Sequence, residues 1–216
     1  MKTRITYTAV VIYLLVFSGA AFAQMPVSFG LKGGLSSSKL DTDSPLLGLE
    51  DSRTALAGGA FIVVDLPGFM AIQAEVLYVP KGGSEDVLTI DENAEILGTA
   101  TMVFQANYIE IPILAKISLG PGPVHLLAGP AFAFRSSSKI TSDELPGIDN
   151  YEFDWDGLTD SDIGFVIGAD VAIGKFLLDA RYTHGLTDVS NSSDDPDALL
   201  IEIKNRAFLV TAGFVF

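Results

Sequence analysis

Few residues of this chain have the types and spacing that chemistry requires. It has no cysteine, which removes thiol nucleophiles, disulfides and Cys-ligated zinc. Its two histidines are His125 and His184. A histidine acting on an acyl group needs a hydroxyl or an acid beside it. Alternation along the chain instead gives His184 the same-face neighbours Tyr182 and Leu186. The acidic stretch Glu152-Tyr-Phe-Asp-Trp-Asp-Gly-Leu-Thr-Asp-Ser-Asp162 has the look of a calcium loop. With Gly157 at the sixth position, however, Ile163 falls where a bidentate Glu is needed. No catalytic residue, no cofactor site and no metal site is assigned.

What remains is a set of charges on alternating positions: Lys32, Lys116, Arg135 and Arg181 against Glu75, Glu110, Asp170 and Asp179. Equal numbers of each sign predict an ion-paired network, since charges away from water are tolerable only when paired and hydrogen-bonded. Its expected role is structural.

Period-two segments position these charges. Eight are legible, at about 26–36, 54–66, 69–81, 101–118, 124–135, 162–173, 176–185 and 205–216. In the first, Val27, Phe29, Leu31 and Leu35 oppose Ser28, Gly30, Lys32, Gly34 and Ser36. In the last, Phe208, Val210, Ala212, Phe214 and Phe216 oppose Leu209, Thr211, Gly213 and Val215. In the fourth, Pro112 interrupts the ladder and predicts a bend or bulge. No Lys, Arg, Asp or Glu stands at mid-strand on the apolar faces. A charge there would cost about 2–4 kcal/mol at the midplane of a bilayer.

Connections alternate too. Those after the second, fourth and sixth segments are tight Gly/Pro turns, and the others are long. About 20 of the 27 Asp and Glu fall in the long ones, at 37–53, 82–98, 138–159 and 187–203. The pattern predicts an all-β fold, an eight-stranded antiparallel up-and-down transmembrane β-barrel, with its acidic loops outside the cell and both termini in the periplasm. Charges fill its interior, which argues against a soluble carrier with an apolar lumen and against a diffusion pore. A narrow pore and a lipid A-modifying enzyme are the lesser alternatives.

Met1 to Thr8 carries Lys2 and Arg4, Ala9 to Phe17 is apolar, and Ala21-Phe22-Ala23 has the form of a cleavage site, so residues 1–23 read as a signal peptide and 24–216 as one barrel domain. The formal net charge of −14 argues against nucleic acid as a partner.

Four blocks carry a family resemblance: Phe29-Gly-Leu-Lys-Gly-Gly-Leu35, Ile72-Gln-Ala-Glu-Val-Leu-Tyr-Val-Pro-Lys-Gly-Gly83, Asn107-Tyr-Ile-Glu-Ile-Pro-Ile-Leu114 and Leu127-Ala-Gly-Pro130. Together they resemble the PorT-type outer-membrane β-barrel family of Bacteroidota. The resemblance implies an eight-stranded barrel in outer-membrane lipid, inserted by the outer-membrane assembly machinery. Phe208, Phe214 and Phe216 of the last strand would be its recognition signal. It does not imply one activity, although the name-giving member belongs to a secretion and gliding apparatus. The expectation for this chain is a non-enzymatic monomer whose loops meet an extracellular or envelope protein.

Deleting Phe216 is expected to impair assembly. The measurement is the share of the protein that runs as the folded, heat-modifiable species in the outer-membrane fraction; an unchanged share would remove the signal role and leave the barrel reading intact.

Overall fold

The computed structural model describes residues 26–42, 51–90, 96–142, 152–154, 159–187 and 203–216. The signal-peptide reading of residues 1–23 and the middle of the calcium-like stretch lie outside them. Nine strands are described: β1 (Val27–Thr42), β2 (Asp51–Asp65), β3 (Met70–Ile90), β4 (Ile96–Ser118), β5 (Val124–Ser142), β6 (Glu152–Asp154), β7 (Ser161–Ile173), β8 (Phe176–Gly185) and β9 (Ile203–Val215). Every pairing is antiparallel, and β1, β2, β3, β4, β5, β7, β8 and β9 form a closed ring.

The β1–β9 seam runs without a shift from Gly30↔Val215 to Thr42↔Ile203. Phe216 extends it: its N–H donates to the Phe29 carbonyl at 2.9 Å and its ring stacks on Phe29 at 5.3 Å between centroids. The rings of Phe214 and Phe176 continue this aromatic girdle at 5.6 Å steps.

Alternation sorts the side chains by face. Phe29, Leu31, Leu35, Ile62, Val76, Phe132, Ile167 and Phe208 point outward and are exposed, with Leu56 as much as 76% exposed. Such a surface suits lipid. Inward lie Phe61, Leu77, Val79, Tyr108, Leu114, Leu127, Val166, Leu177 and Leu209, together with the charges.

The strands outrun the alternation visible in the sequence. Residues 82–90 and 96–98, expected in an acidic loop, form the far end of the β3–β4 hairpin, paired as far as Ile90↔Ile96. Gly82-Gly83 looks like a turn but sits inside the ladder opposite Gln105 and Phe104. A Cβ on Gly82 would meet the Phe104 carbonyl oxygen at 1.9 Å, so glycine serves close strand approach there. Similarly, β5 runs on to Ser142, and the unanticipated β6 pairs with it at residues 139–141.

Pro112 produces no bulge. The β3–β4 and β4–β5 registers are the same on both sides of it; beside it the β3–β4 pairing lapses opposite Glu75 and Val76, and the β4–β5 pairing lapses at Ile113 and Leu114. The bulge of β4–β5 lies higher, between Asn107↔Ser137 and Tyr108↔Arg135, so Ser136 is the extra residue. A second irregularity separates Ser52 from Gly58 on β2.

Gly34 and Gly33 distinguish the two faces. A Cβ on inward Gly34 would meet the Val210 carbonyl oxygen at 1.9 Å and Thr211 Cα at 2.7 Å, whereas one on outward Gly33 meets only the Ala57 oxygen at 3.8 Å. Gly34→Ala is therefore expected to destabilise the barrel by about 1–3 kcal/mol, while Gly33→Ala leaves it near wild type, as read from urea unfolding in detergent micelles.

Candidate functional site in the lumen

Each inward charge owes its place to the phase of its strand, and ring closure brings distant strands within reach of one another. Three ion-paired tiers result, stacked along the barrel axis. The middle tier joins Lys32 of β1, Gln73 and Glu75 of β3, and Asp179 and Arg181 of β8. In the eight-membered ring β3 and β8 stand four strands apart, which is opposite. Arg181 crosses the lumen to make a bidentate pair with Glu75, its Nη1 and Nη2 donating to Oε2 and Oε1 at 2.9 Å each. The same guanidinium donates through Nε and Nη2 to Asp179 at 2.8 and 2.5 Å. Lys32 Nζ donates to Glu75 Oε1 at 2.8 Å and lies 3.9 Å from Asp179. Gln73 Nε2 adds a donor to Glu75 at 2.5 Å. All four charged side chains are wholly shielded from solvent. Two cations meet two carboxylates.

Toward the short-turn end, Asp170 of β7 shares its carboxylate between two groups. Lys116 Nζ of β4 donates to Oδ2 at 2.6 Å, and His125 Nδ1 of β5 lies 2.6 Å from Oδ1. Toward the long-connection end, Lys81 of β3 lies 2.9 Å from Glu110 and 3.6 Å from Asp162, with its ammonium 5.1 Å from the centroid of the Tyr108 ring. Asn205 Nδ2 of β9 donates to Asp162 Oδ2 at 2.9 Å. Apolar clusters fill the space between the tiers: Leu114, Leu127, Ala131 and Val166 on one wall, Ala57, Leu77, Val79 and Leu209 on another.

The structure brings Lys32, Glu75, Asp179 and Arg181 into one network and Lys116 with Asp170 into a second. Glu110 finds neither set; its partner is Lys81. Arg135 keeps the inward phase, opposite the buried Tyr108, and its side chain is only 15% exposed. Just below the Ser136 bulge, near the rim, it donates to Ser138 Oγ at 2.7 Å and to the largely exposed carboxylate of Asp160 at 2.7 Å.

Alternation puts Lys81 on the polar face of its strand with Gln73 and Glu75, but Lys81 stays outside the expected charge network, and Asp162 and Asn205, which stand at strand ends, were missed. A signal existed. Lys81 is in phase with Gln73 and Glu75, Asp162 with Asp170, and Asn205 with Leu209 and Thr211. With them, the buried charges of the described residues are four cations, Lys32, Lys81, Lys116 and Arg181, and five carboxylates, Glu75, Glu110, Asp162, Asp170 and Asp179. Amide donors from Gln73 and Asn205 serve the excess carboxylate oxygens.

His184 faces outward at the long-connection end, with its ring 6.5 Å from that of Tyr182. Its direct cross-strand neighbours are Phe165 and Arg206, neither a hydroxyl nucleophile.

Buried pairs are costly to break because the remaining partner is left uncompensated. Replacing Arg181 by Met leaves Glu75 and Asp179 with Lys32 as their one cation, and is expected to cost about 3–5 kcal/mol. Replacing the exposed turn residue Lys175 by Met should stay within about 0.5 kcal/mol. Unfolding in micelles measures both, and equal effects would deny the network its structural weight.

Several solved structures are similar to the chain. Neisserial surface protein A matches at 12% identity over 88% of this chain and 99% of its own, with a TM-score of 0.51. The attachment invasion locus protein of Yersinia pestis matches at 11% identity over 89% and 100%, with a TM-score of 0.46. OprG of Pseudomonas aeruginosa matches at 11% over 89% and 97%, with a TM-score of 0.36. At 12% identity the likeness to Neisserial surface protein A concerns the fold alone. No curated protein matches the chain significantly. Residues 22–191, most of the chain, match the family profile described as outer membrane protein beta-barrel domain, and the chain belongs to that family.

Proposed function

We propose that this member of the outer membrane protein beta-barrel domain family is a non-enzymatic barrel of the Gram-negative outer membrane, sealed across its lumen and working through its surfaces. One observation carries the proposal: the solvent-shielded bidentate pair between Arg181 and Glu75, which ties opposite walls together where a pore would have to pass. An eight-stranded barrel has room only for side chains, and here those side chains are bound to one another. The plug speaks against a narrow pore. The neighbours of His184 speak against lipid A modification.

In this reading the short turns, the Phe216 end and the aromatic girdle face the periplasm, residues 1–23 are removed on export, and the long acidic connections face the medium. Outer-membrane lipid covers the apolar face of a monomer. The assembly machinery takes hold of Phe208, Phe214 and Phe216, and the connections meet an extracellular or envelope protein. The resemblance to PorT-type barrels of Bacteroidota is the finer part of the proposal. It gains from the placement of its blocks, since Glu75, Lys81, Tyr108 and Glu110 all belong to the lumen tiers. A part in a secretion or gliding apparatus would then be played by the outer surface and the connections.

Purified protein in planar bilayers at high KCl is expected to show no conductance steps; discrete, reproducible steps would overturn the sealed-lumen reading. Single-cysteine variants of this cysteine-free chain test orientation. Asp160→Cys should react with an impermeant maleimide on intact cells and Lys175→Cys only after lysis, and the reverse pattern would invert the barrel.

A further inference from the structure

The three tiers of the lumen differ in their balance of charge. In the middle tier Lys32 and Arg181 meet Glu75 and Asp179, and toward the short turns Lys116 meets Asp170. At the long-connection end one ammonium serves two carboxylates: Lys81 Nζ lies 2.9 Å from Glu110 Oε2 and 3.6 Å from Asp162 Oδ2. The side chains of Lys81, Glu110 and Asp162 are 2%, 3% and 1% exposed. A charge so enclosed and uncompensated is costly, and a buried group in that position sheds it by changing its protonation state.

The surroundings leave the excess in place. Glu110 and Tyr108 come to this end from β4, Lys81 from β3 and the Asn205 amide from β9. Arg135 of β5 brings a further cation but spends it on Asp160, which is 93% exposed and stands two residues before Asp162. Counting that pair, two cations face three carboxylates. The buried groups that β1 and β8 bring to this end, Ser36, Ser38 and Thr183, carry no charge.

The two buried carboxylates are held differently. Glu110 has the closer contact with Lys81. Asp162 Oδ2 accepts from Asn205 Nδ2 at 2.9 Å, whereas its Oδ1 is buried without a hydrogen-bond partner among the described residues. A proton on Oδ1 makes that oxygen a donor and leaves the tier neutral, with one ammonium against one carboxylate. The exposed Asp160 two residues away marks a short path to solvent.

We propose that Asp162 carries this proton in the folded barrel, and that its loss as the solution turns alkaline loosens the long-connection end. Asp162 is the second residue of β7 and Asn205 the third of β9, so their bond ties together the strand starts that two long connections lead into. The direction follows from linkage. A fold that binds the proton more tightly than the unfolded chain has the tier's full contribution in acid and loses it as pH rises through the folded-state titration.

Carboxyl carbon NMR of the full barrel in detergent micelles tests the assignment. Asp162 is expected to titrate above the ordinary aspartate value of about 3.9, and to move back down in Glu110→Gln, where Lys81 serves it alone. Titration at or below the ordinary value in wild type, or no movement in Glu110→Gln, would overturn it. Amide hydrogen exchange reads the loosening. Corrected for its intrinsic rise with pH, exchange at Ser161 to Ile163 and at Asn205 should increase through the Asp162 titration in wild type. It should stay flat in Asp162→Asn, whose amide imitates the protonated carboxyl, and an equal increase in both proteins removes the latch. If Asp162→Asn does not run as a heat-modifiable band, Glu110→Gln takes its place: it removes the same excess charge and should also stay flat, and a rise equal to wild type counts against the proposal.

Discussion

A strand surrounded by hydrocarbon has no water to satisfy its backbone, so every N–H and C=O must find a partner within the sheet. The β1–β9 seam meets that demand here. It joins the first described strand to the last over an unbroken register, and the Phe216 N–H adds a final bond to Phe29. Without the seam, β1 and β9 would be open edges, which hydrocarbon does not tolerate. The close approach of Gly34 to Val210 and the stacking of Phe216 on Phe29 are consequences of closing the ring in this register.

Closure also makes the interior a small volume lined by eight polar faces. Once strands four apart in the ring face one another, Arg181 reaches Glu75, although the two are 106 residues apart in the chain. The interior is too narrow for these charges to stay hydrated, so they are held in place by one another. Buried ion pairs are weak evidence for net stability; what they constrain is arrangement, because each carboxylate must meet its own partners. The three tiers therefore act as registration marks between walls of the barrel, with the apolar clusters packed between them.

The two ends differ in kind. At the short-turn end a girdle of Phe29, Phe176, Phe214 and Phe216 encircles part of the rim, and tight turns leave little backbone to solvate. At the other, strands of uneven length rise past the apolar band, with β3 and β4 reaching furthest. Basic residues on β1, β8 and β9 occupy the boundary between the exposed apolar wall and the acidic connections. The asymmetry is that of an interface with two different leaflets and two different compartments.

Strand count, face assignment and short-turn placement were legible in the sequence because a period of two writes inside and outside onto successive residues, and because Gly/Pro turns punctuate one end. Lys32, Glu75, Glu110, Asp170, Asp179 and Arg181 could be named as inward from phase alone. Their partners could not. Which walls of a ring meet is decided by register and closure, which no local pattern encodes; hence Asp162 and Asn205, at strand ends, escape notice, and nothing in the alternation shows that Lys81 pairs with Glu110. The far ends of β3, β4 and β5 were hidden for a related reason. Above the apolar band both faces of a strand meet water, alternation fades, and only the backbone ladder reveals that the strand continues.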